Sequence, residues 1–362
     1  MNSGIVEKRE NFNAVDLAKF IMAFCVIAIH TCMEFFSNGI ANTIVSTVIV
    51  RLAVPFFFVT SGFFFFRDII FENGKIKKCP ENRSRFLKTL KRLTLLYVLW
   101  AIIYFVWQFY TWYDMDYLHF ANLRSYVLNF FTAGFDGVFW YVVSSIYAMI
   151  ILWFLLRHLK VGVVAGIVTV LCAVFFLVYT YADVLRITAL NNVFSKVFEF
   201  VSRSDALVIV YSSLYFVMIA VVSIFLGFVA VRLREKISTG LSGILTIASL
   251  CFSVLENVLI YTFRDGKMFS YTFFLLPTVF FGFIFLTKVR LNGNQKTFDF
   301  FRKASTFIYC FHHFFVNVVN YCTGYTFEGM GASFFITCAV SATAALIIVL
   351  LSNKVKFLKN LY

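Results

Sequence analysis

The chain has 362 residues, of which 61% are hydrophobic and 14% are charged, and its mean hydropathy is +0.85. A soluble domain carries about 25% charged residues, so this composition excludes an ordinary soluble protein. The formal net charge of +14 is typical of nucleic-acid binding or of a membrane protein's cytoplasmic surface, and the distribution of the charges decides between them.

Apolar runs of roughly twenty residues recur along the chain and predict transmembrane helices. The segments at 161–181 and 331–353 contain no charged residue, and each is long enough to cross a hydrocarbon core of about 30 Å. The sequence therefore predicts an all-α, polytopic integral membrane protein of about ten spans, forming one membrane domain over 1–362 with no appended soluble domain. The predicted spans are 14–36, 41–66, 93–112, 136–156, 161–181, 207–231, 240–262, 271–287, 305–323 and 331–352.

Basic residues are unevenly distributed between the two sides that these spans create. With the N-terminus inside, 24 of the 32 Lys and Arg residues fall in inner segments, and two, Lys19 and Arg51, fall within spans. This positive-inside distribution predicts both termini in the cytoplasm and excludes nucleic acid as an expected partner. The six outer basic residues are Arg124, Arg186, Lys196, Arg203, Arg264 and Lys267.

The first apolar segment has features of a cleaved signal peptide, because it follows Lys8 and Arg9 and precedes the small residues SNGIA. An apolar region that contains Asp16 and Lys19 and is followed by nine further spans instead favours a retained helix. The eight cysteines are scattered without a CxxC pair. They are expected to be small core residues, with neither a disulfide framework nor a metal site.

The first span, which contains KFIMAFCVIAIH (19–30), is predicted to carry a polar stripe. Lys19 and His30 are eleven residues apart, about three helical turns plus 20°, so they share a face and are separated by about 16 Å. Asp16 and Glu34 fall within about 40° of the same line. Two interpretations are open: an interfacial Asp16–Lys19 ion pair with His30 as a core residue, or a functional site along the stripe.

The second span reads VRLAVPFFFVTSGFFFF (50–66) and places Arg51 near mid-membrane. His30, Glu34 and Glu256 are predicted at middle to outer depths, from a rise of about 1.5 Å per residue. Either Arg51 neutralises Glu34 or Glu256 as a structural pair, or a carboxylate orients the imidazole of His30 in a site.

Prolines and glycines within the spans predict irregular helices. Pro55 and Gly62 are expected to break the second span, and Pro277 the eighth, which is tolerated where a cavity is lined. In the ninth, STFIYCFHHFF (305–315), Tyr309 and His312 lie on neighbouring helix surfaces. They are either packing residues near the inner interface or part of a site.

Three loops are long. Segment 67–92 is inner, strongly basic and rich in turn formers; segment 182–206 is outer and predicts an interfacial helix; segment 113–135 predicts a helix along the outer surface.

Five motifs in order along the chain resemble those of acyltransferase family 3, the membrane acyltransferases found as bacterial sugar and peptidoglycan O-acetyltransferases. The first is the (R/K)-x10-H pattern, here Lys19 to His30, and the second is RLAVPFFFVTSG, from Arg51 to Gly62. The others are FLKTLKRLTLLYVLW, the W-[FY] pair in GVFWYVVSSIYAMIIL, and STFIYCFHHFF.

The resemblance implies transfer of an acyl group, expected to be acetyl, from cytoplasmic acyl-CoA to a hydroxyl of a cell-surface or lipid-linked glycan, in a bacterial cytoplasmic membrane. His30 matches the family's catalytic histidine and would act as general base, with Glu34 or Glu256 setting its tautomer; an acyl-histidine intermediate is the alternative. Lys19 replaces the more frequent arginine, which leaves a point-charge contact rather than a bidentate one. No metal is expected.

Two further sets of residues are candidates for binding. The first set is basic, and its residues are expected to bind the phosphates of CoA: Lys19, Arg83, Arg85, Lys88, Lys91 and Arg92. The alternative for this basic set is that it serves only to orient the protein in the membrane. The residues expected to contact donor or acceptor are Arg51, Ser61, Trp140, Tyr141, Tyr309 and His312.

A transporter or flippase for a polysaccharide precursor or an amino acid is the main rival, because an intramembrane histidine with carboxylates also suits a proton relay. The family also includes membrane domains fused to amino-acid racemases. The sequence shows no inverted repeat with paired broken helices, which would favour transport. A structural or partner-binding subunit would leave the ionisable groups within the spans without a role.

Overall fold

The computed structural model describes residues 10–31, 39–185, 187, 192, 196–197, 199–266, 268–324 and 332–362. These residues are mostly helical, which confirms the predicted all-α, polytopic membrane protein. Eight of the helices described are long and apolar enough to cross a membrane. In chain order the main helices are α1 (Asn13–Thr31), α2 (Gly39–Phe66), α3 (Pro80–Asp114), α4 (Phe120–Phe131), α5 (Trp140–His158), α6 (Val161–Val184), α7 (Asp205–Leu233), α8 (Thr239–Phe263), α9 (Leu275–Lys288), α10 (Gln295–Thr323) and α11 (Ser333–Leu351).

Two predicted spans correspond to helices that are not among the eight that are long and apolar enough to cross a membrane. The predicted span 271–287 corresponds to α9, which has only 14 residues. The predicted span 305–323 is the second half of α10, whose 29 residues begin with a charged segment. The end of the predicted span 14–36, beyond Thr31, lies outside the described residues.

Helix α2 is irregular near Arg51. It contains a π-helical segment, Ile44–Ile49, and a 3-10 turn, Val50–Leu52, before regular α-helix resumes at Ala53. Pro55 has no backbone N–H to donate to the carbonyl four residues earlier, at Arg51, so the regular ladder cannot continue through this point. The irregular backbone therefore coincides with the only basic residue of this helix.

Gly62 does not break α2, contrary to the prediction. The helix runs regularly from Ala53 to Phe66, and the glycine instead allows close contact with α7. A Cβ at position 62 would lie 2.9 Å from the carbonyl carbon of Ile224, and one at Gly227 would lie 2.6 Å from the backbone nitrogen of Phe63. The two backbones approach so closely that only glycine fits.

The prediction for Pro277 is also wrong. Pro277 is the third residue of α9, where the N–H that proline lacks has no helical partner in any case. It therefore starts the helix instead of interrupting it.

The inner segment 67–92 is more ordered than its turn-rich composition indicated. Strands β1 (Phe71–Glu72) and β2 (Lys75–Ile76) form an antiparallel hairpin. Its turn residues Asn73 and Gly74 have φ values of 52° and 75°, as a type I′ turn requires. Helix α3 begins at Pro80, so the basic residues 83–92 are helical, and the predicted span 93–112 is the apolar part of a 35-residue helix.

Helix α3 is about 52 Å long, whereas the hydrocarbon core is about 30 Å thick. Its basic first turns therefore extend beyond the membrane, on the side that the charge distribution predicts to be cytoplasmic. At the other end, α4 lies within the predicted outer segment 113–135 and has no buried residue. Part of the predicted interfacial segment 182–206, namely residues 186, 188–191, 193–195 and 198, lies outside the described residues.

Helices α1, α3, α5 and α10 share one core cluster. Tyr104 of α3 donates a hydrogen bond to the carbonyl of Cys310 in α10 at 3.0 Å, and Tyr126 of α4 donates to the carbonyl of Ala101 at 3.1 Å. A second, larger cluster joins α5, α6 and α7. The polar residues described next lie where α1, α5 and α10 meet.

Candidate functional site

Three histidines from two neighbouring helices form a cluster. His30 is near the end of α1, and His312 and His313 are in α10. The ring centroid of His30 lies 5.5 Å from that of His312 and 5.5 Å from that of His313. Both helices begin on the predicted cytoplasmic side, so their histidines meet at the same level of the bundle. His30 therefore lies within a polar cluster and is not an isolated core residue.

His313 is paired with a carboxylate. Its Nδ1 lies 2.8 Å from Oδ1 of Asp136, and Asn317, one turn further along α10, donates to Oδ2 of Asp136 at 3.1 Å. Asp136 precedes α5 and also accepts from the backbone N–H of Val138 at 3.3 Å. The acid of the cluster is thus supplied by the start of α5, and both of its oxygens have donors.

His312 is fully buried, and its hydrogen bond fixes its tautomer. Nδ1 lies 3.1 Å from the carbonyl oxygen of Ile308, which can only accept, so Nδ1 carries the proton. Nε2 is left as an acceptor, and it has no hydrogen-bond partner among the described residues. Tyr309, predicted to contact substrate, donates its hydroxyl to the carbonyl of Val138 and is buried.

Ser61 and Tyr141 join α2 to α5. Their hydroxyl oxygens are 3.0 Å apart, and Tyr141 packs edge-on against Tyr309, with ring centroids 5.4 Å apart. Both residues are half-buried, so they line the interior next to the histidine cluster. Trp140 instead stacks on Phe216 of α7, at a centroid distance of 4.4 Å.

Glu256 is a residue of α8 whose side chain contacts the start of α9. Its two oxygens accept the backbone N–H groups of Phe273 and Phe274, each at 3.0 Å, and the hydroxyl of Tyr181 also donates to it. This is the position of a carboxylate that caps a helix N-terminus. Glu256 is therefore bonded to the start of α9 and to Tyr181, and no hydrogen bond or ion pair joins it to His30 among the described residues.

The other predicted acid, Glu34, lies outside the described residues. Arg51 is half-buried, and its Nε has no hydrogen-bond partner within the part of the chain that the structure describes. The predicted pairing of Arg51 with Glu256 is not formed, because the two oxygens of Glu256 are bonded to α9 and to Tyr181.

Lys19 lies at the inner end of the site. Asp16, the predicted partner of Lys19, forms its ion pair with Arg302 of α10 at 3.5 Å. Lys19 nevertheless lies in the electrostatic field of Asp16, Arg92 and Arg302.

A basic cleft of about 630 Å³ opens at the predicted cytoplasmic start of α3. Of the residues predicted to bind the phosphates of CoA, Arg83, Lys88 and Lys91 line this cleft, whereas Arg85 is bonded to Asp68 and does not. Arg92 is also absent from its lining. The full lining is Lys78, Cys79, Pro80, Arg83, Ser84, Leu87, Lys88, Lys91 and Arg157.

Five cationic side chains line this cleft, those of Lys78, Arg83, Lys88, Lys91 and Arg157. Such a set of charges favours a ligand with several phosphates. Glu81, at the start of α3, is engaged locally: hydrogen bonds from its own backbone N–H and from the Cys79 side chain hold the pKa of its carboxyl below the ordinary value.

Sequence reasoning missed five residues of these two sites. Lys78 and Arg157 border the cleft, and Asp136, His313 and Asn317 adjoin His30. The repeated histidine of CFHHFF and the aspartate before the W-Y pair were visible in the sequence, but only the packing of α5 against α10 relates them. The described residues contain no group of three His, Cys, Asp or Glu side chains arranged to hold a metal.

Curated proteins match this chain over part of its length. Two matching relatives are each named "Amino-acid racemase" from Enterococcus faecalis: one is 28% identical over 53% of this chain and 25% of the relative, the other 24% identical over 74% and 36%. The chain thus spans between a quarter and about a third of these relatives. No solved structure gives a significant match.

A family model provides the assignment. The model described as "Acyltransferase domain", acyltransferase family 3, matches residues 12–352, which covers α1 through α11. The resemblance seen in the five sequence motifs is therefore confirmed, and the chain belongs to acyltransferase family 3.

Proposed function

We propose that this protein transfers an acyl group, acetyl in the first instance, from cytoplasmic acyl-CoA to a hydroxyl of a cell-surface or lipid-linked glycan, with His30 as the general base. The observation that carries the proposal is the position of His30: it is half-buried, lies in a cluster of polar groups at membrane depth, and shares one face of α1 with Lys19 toward the cytoplasm. An imidazole held inside a membrane bundle costs free energy and is usually functional.

The basic cleft fits the nucleotide end of CoA, which carries several phosphates. Arg83, Lys88 and Lys91 would bind these phosphates by charge, and Lys19 with Arg92 would continue the positive potential inward. From Lys19 to His30 the distance along α1 is about 16 Å, a span that a flexible pantetheine arm can bridge. The thioester supplies the acyl group; the protein's part is to hold the donor and to activate the acceptor.

His30 would take the proton from the acceptor hydroxyl as the ester C–O bond forms and the thioester C–S bond breaks. The leaving thiolate then receives a proton from the imidazolium, so proton and charge balance without a further reactant. Ser61 and Tyr141, half-buried beside the cluster, are the hydroxyl groups available to position either substrate. Nε2 of His312, which has no hydrogen-bond partner among the described residues, offers an acceptor for a substrate hydroxyl.

Labelled acetyl-CoA supplied to inside-out membrane vesicles tests the proposal. Label should appear, in alkali-labile form, on envelope glycan of vesicles that contain the protein, and vesicles without it should remain unlabelled. Equal labelling of both preparations would refute acyl transfer to glycan.

A double substitution in the cleft tests donor binding. Arg83→Gln with Lys91→Gln should raise the KM for acetyl-CoA about tenfold, equivalent to about 1.4 kcal/mol, while Vmax changes less than twofold. Both side chains line the cleft and neither belongs to the histidine cluster. The double variant therefore removes positive charge from the cleft and leaves the groups that carry out acyl transfer unchanged. The measurement is the initial rate of labelling against acetyl-CoA concentration.

Lys354→Gln with Lys356→Gln is the matched control, because these two exposed lysines lie near the C-terminus and outside the cleft. An equal rise in KM for both double variants would mean that general surface charge, and no specific cleft, attracts the donor.

The curated relatives favour a second candidate. Both are named for amino-acid racemization, so passage of an amino acid past the same polar interior is the rival. Uptake of labelled L-amino acids into proteoliposomes, without any acetyl-CoA requirement, would support it.

A further inference from the structure

The Asp136–His313 pair has no role in the mechanism above, although it adjoins the proposed base. The side chains of His313 and Asp136 are only 17% and 14% exposed. Asp136 comes from the segment before α5 and His313 from α10, and Nδ1 of His313 lies 2.8 Å from Oδ1 of Asp136. A carboxylate placed at this depth requires compensation by neighbouring groups, so its location next to His30 needs an explanation.

The geometry determines how His313 is protonated. Asp136 accepts at Oδ1, so Nδ1 of His313 carries the proton that it donates. In the neutral ring Nε2 is then a hydrogen-bond acceptor. Asn317 and the backbone N–H of Val138 hold the carboxylate, which fixes the carboxylate and, through it, the orientation of the ring.

His30 contacts this ring but no carboxylate among the described residues. In acid–base sites the base is usually oriented by a third group, often a carboxylate, which stabilises the charge that the base acquires. His312 cannot fill this role, because its Nδ1 is bonded to the uncharged carbonyl of Ile308. Among the described residues, the other ring next to His30 is that of His313, which is paired with Asp136.

We propose that His313 and Asp136 are positioning residues for His30. Asp136 fixes the tautomer of His313. Through His313, the negative charge of Asp136 stabilises the positive charge that His30 acquires as it removes the acceptor's proton. The inference rests on the proposed function. The proton itself follows the route already given, from acceptor oxygen to His30 and then to the thiolate. The pair orients the base and stabilises its protonated form, and it consumes no proton of its own.

The first test compares Asp136→Asn, Asp136→Glu and His313→Gln in the vesicle assay with labelled acetyl-CoA. Asp136→Asn and His313→Gln should lower Vmax at least tenfold with KM for acetyl-CoA within twofold, and Asp136→Glu should recover most of the rate. Asp183→Asn is the control, because Asp183 forms an ion pair with Arg264 at 2.7 Å at the outer end of α6. Vmax of Asp136→Asn equal to that of Asp183→Asn would overturn the proposal.

The second test does not depend on acyl transfer. Diethyl pyrocarbonate modifies unprotonated imidazoles, and peptide mass spectrometry reports the rate at each histidine of the detergent-purified protein. At pH 8, Asp136→Asn should slow the modification of His30 at least threefold and leave that of the exposed His158 unchanged. Equal rates at His30 in wild type and variant would refute the coupling even if the transferase activity is established. Slowed modification in a protein with no transferase activity would instead support the pair and reject the proposed function.

Discussion

Replacement of His30 by alanine should reduce acyl transfer at least a hundredfold while the protein still accumulates in the membrane. A positioned general base contributes about a hundredfold to ten-thousandfold to a rate, and His30 is the histidine that the family motif and the cluster both identify. The measurement is Vmax for labelled acetyl-CoA in inside-out vesicles, normalised to the amount of protein. KM for acetyl-CoA should change little, because the basic cleft that binds the phosphates is untouched.

His158→Ala is the matched control. His158 is the last residue of α5, exposed, with its ring 4.7 Å from that of Phe154, and it is remote from the cluster. It should retain the wild-type Vmax. Transfer by His30→Ala at the rate of His158→Ala would remove the imidazole from the mechanism, whatever the state of the other residues.

Features that follow from local sequence were predicted well. Helix periodicity alone aligned Lys19 with His30, and run length with hydropathy gave the helices of the bundle, since each apolar run must satisfy its own backbone within a membrane. The R-x-x-V-P motif marked the place where α2 becomes irregular, because Pro55 removes a hydrogen bond whatever its surroundings. These properties depend on residues within a few turns of one another.

Features that depend on packing between distant segments were not predicted. Asp136 and His313 are 177 positions apart in the sequence, and Arg157 joins the cleft of α3 only because α5 ends beside it. The sequence also offered more than one carboxylate that could orient His30. Glu256 was predicted at a similar depth to His30, but both of its oxygens accept hydrogen bonds from the start of α9. Arg85 likewise fits the basic pattern, yet it is bonded to Asp68 of the preceding loop.

Gly62 illustrates the same limit. In a single helix glycine is a weak point, and this led to the wrong prediction of a break. The neighbouring α7 reverses the conclusion, because it brings its own Gly227 against the same turn. The close contact positions the part of α2 that carries Arg51 and Ser61 relative to the rest of the bundle.

Gly227→Ala should therefore destabilise the protein severely. The added Cβ would lie 2.6 Å from the backbone nitrogen of Phe63 and closer still to the carbonyl oxygen of Val59. Neither is a flexible side chain, so α2 and α7 must separate, and overpacking of this kind costs about 1–3 kcal/mol or more. The midpoint temperature of thermal aggregation in detergent should fall by several degrees. Size-exclusion chromatography of heated samples measures this midpoint.

The same glycine-to-alanine substitution at Gly166 should have the opposite effect on stability. Gly166 is in the interior of α6, and apart from its chain neighbours and the helix's own backbone, no atom of the described residues lies within 4 Å of a Cβ built there. Alanine is favoured over glycine in a helix by up to about 1 kcal/mol, so Gly166→Ala should keep or slightly raise the midpoint. A loss of stability equal to that of Gly227→Ala would show that the contact between α2 and α7 is not what requires glycine at position 227.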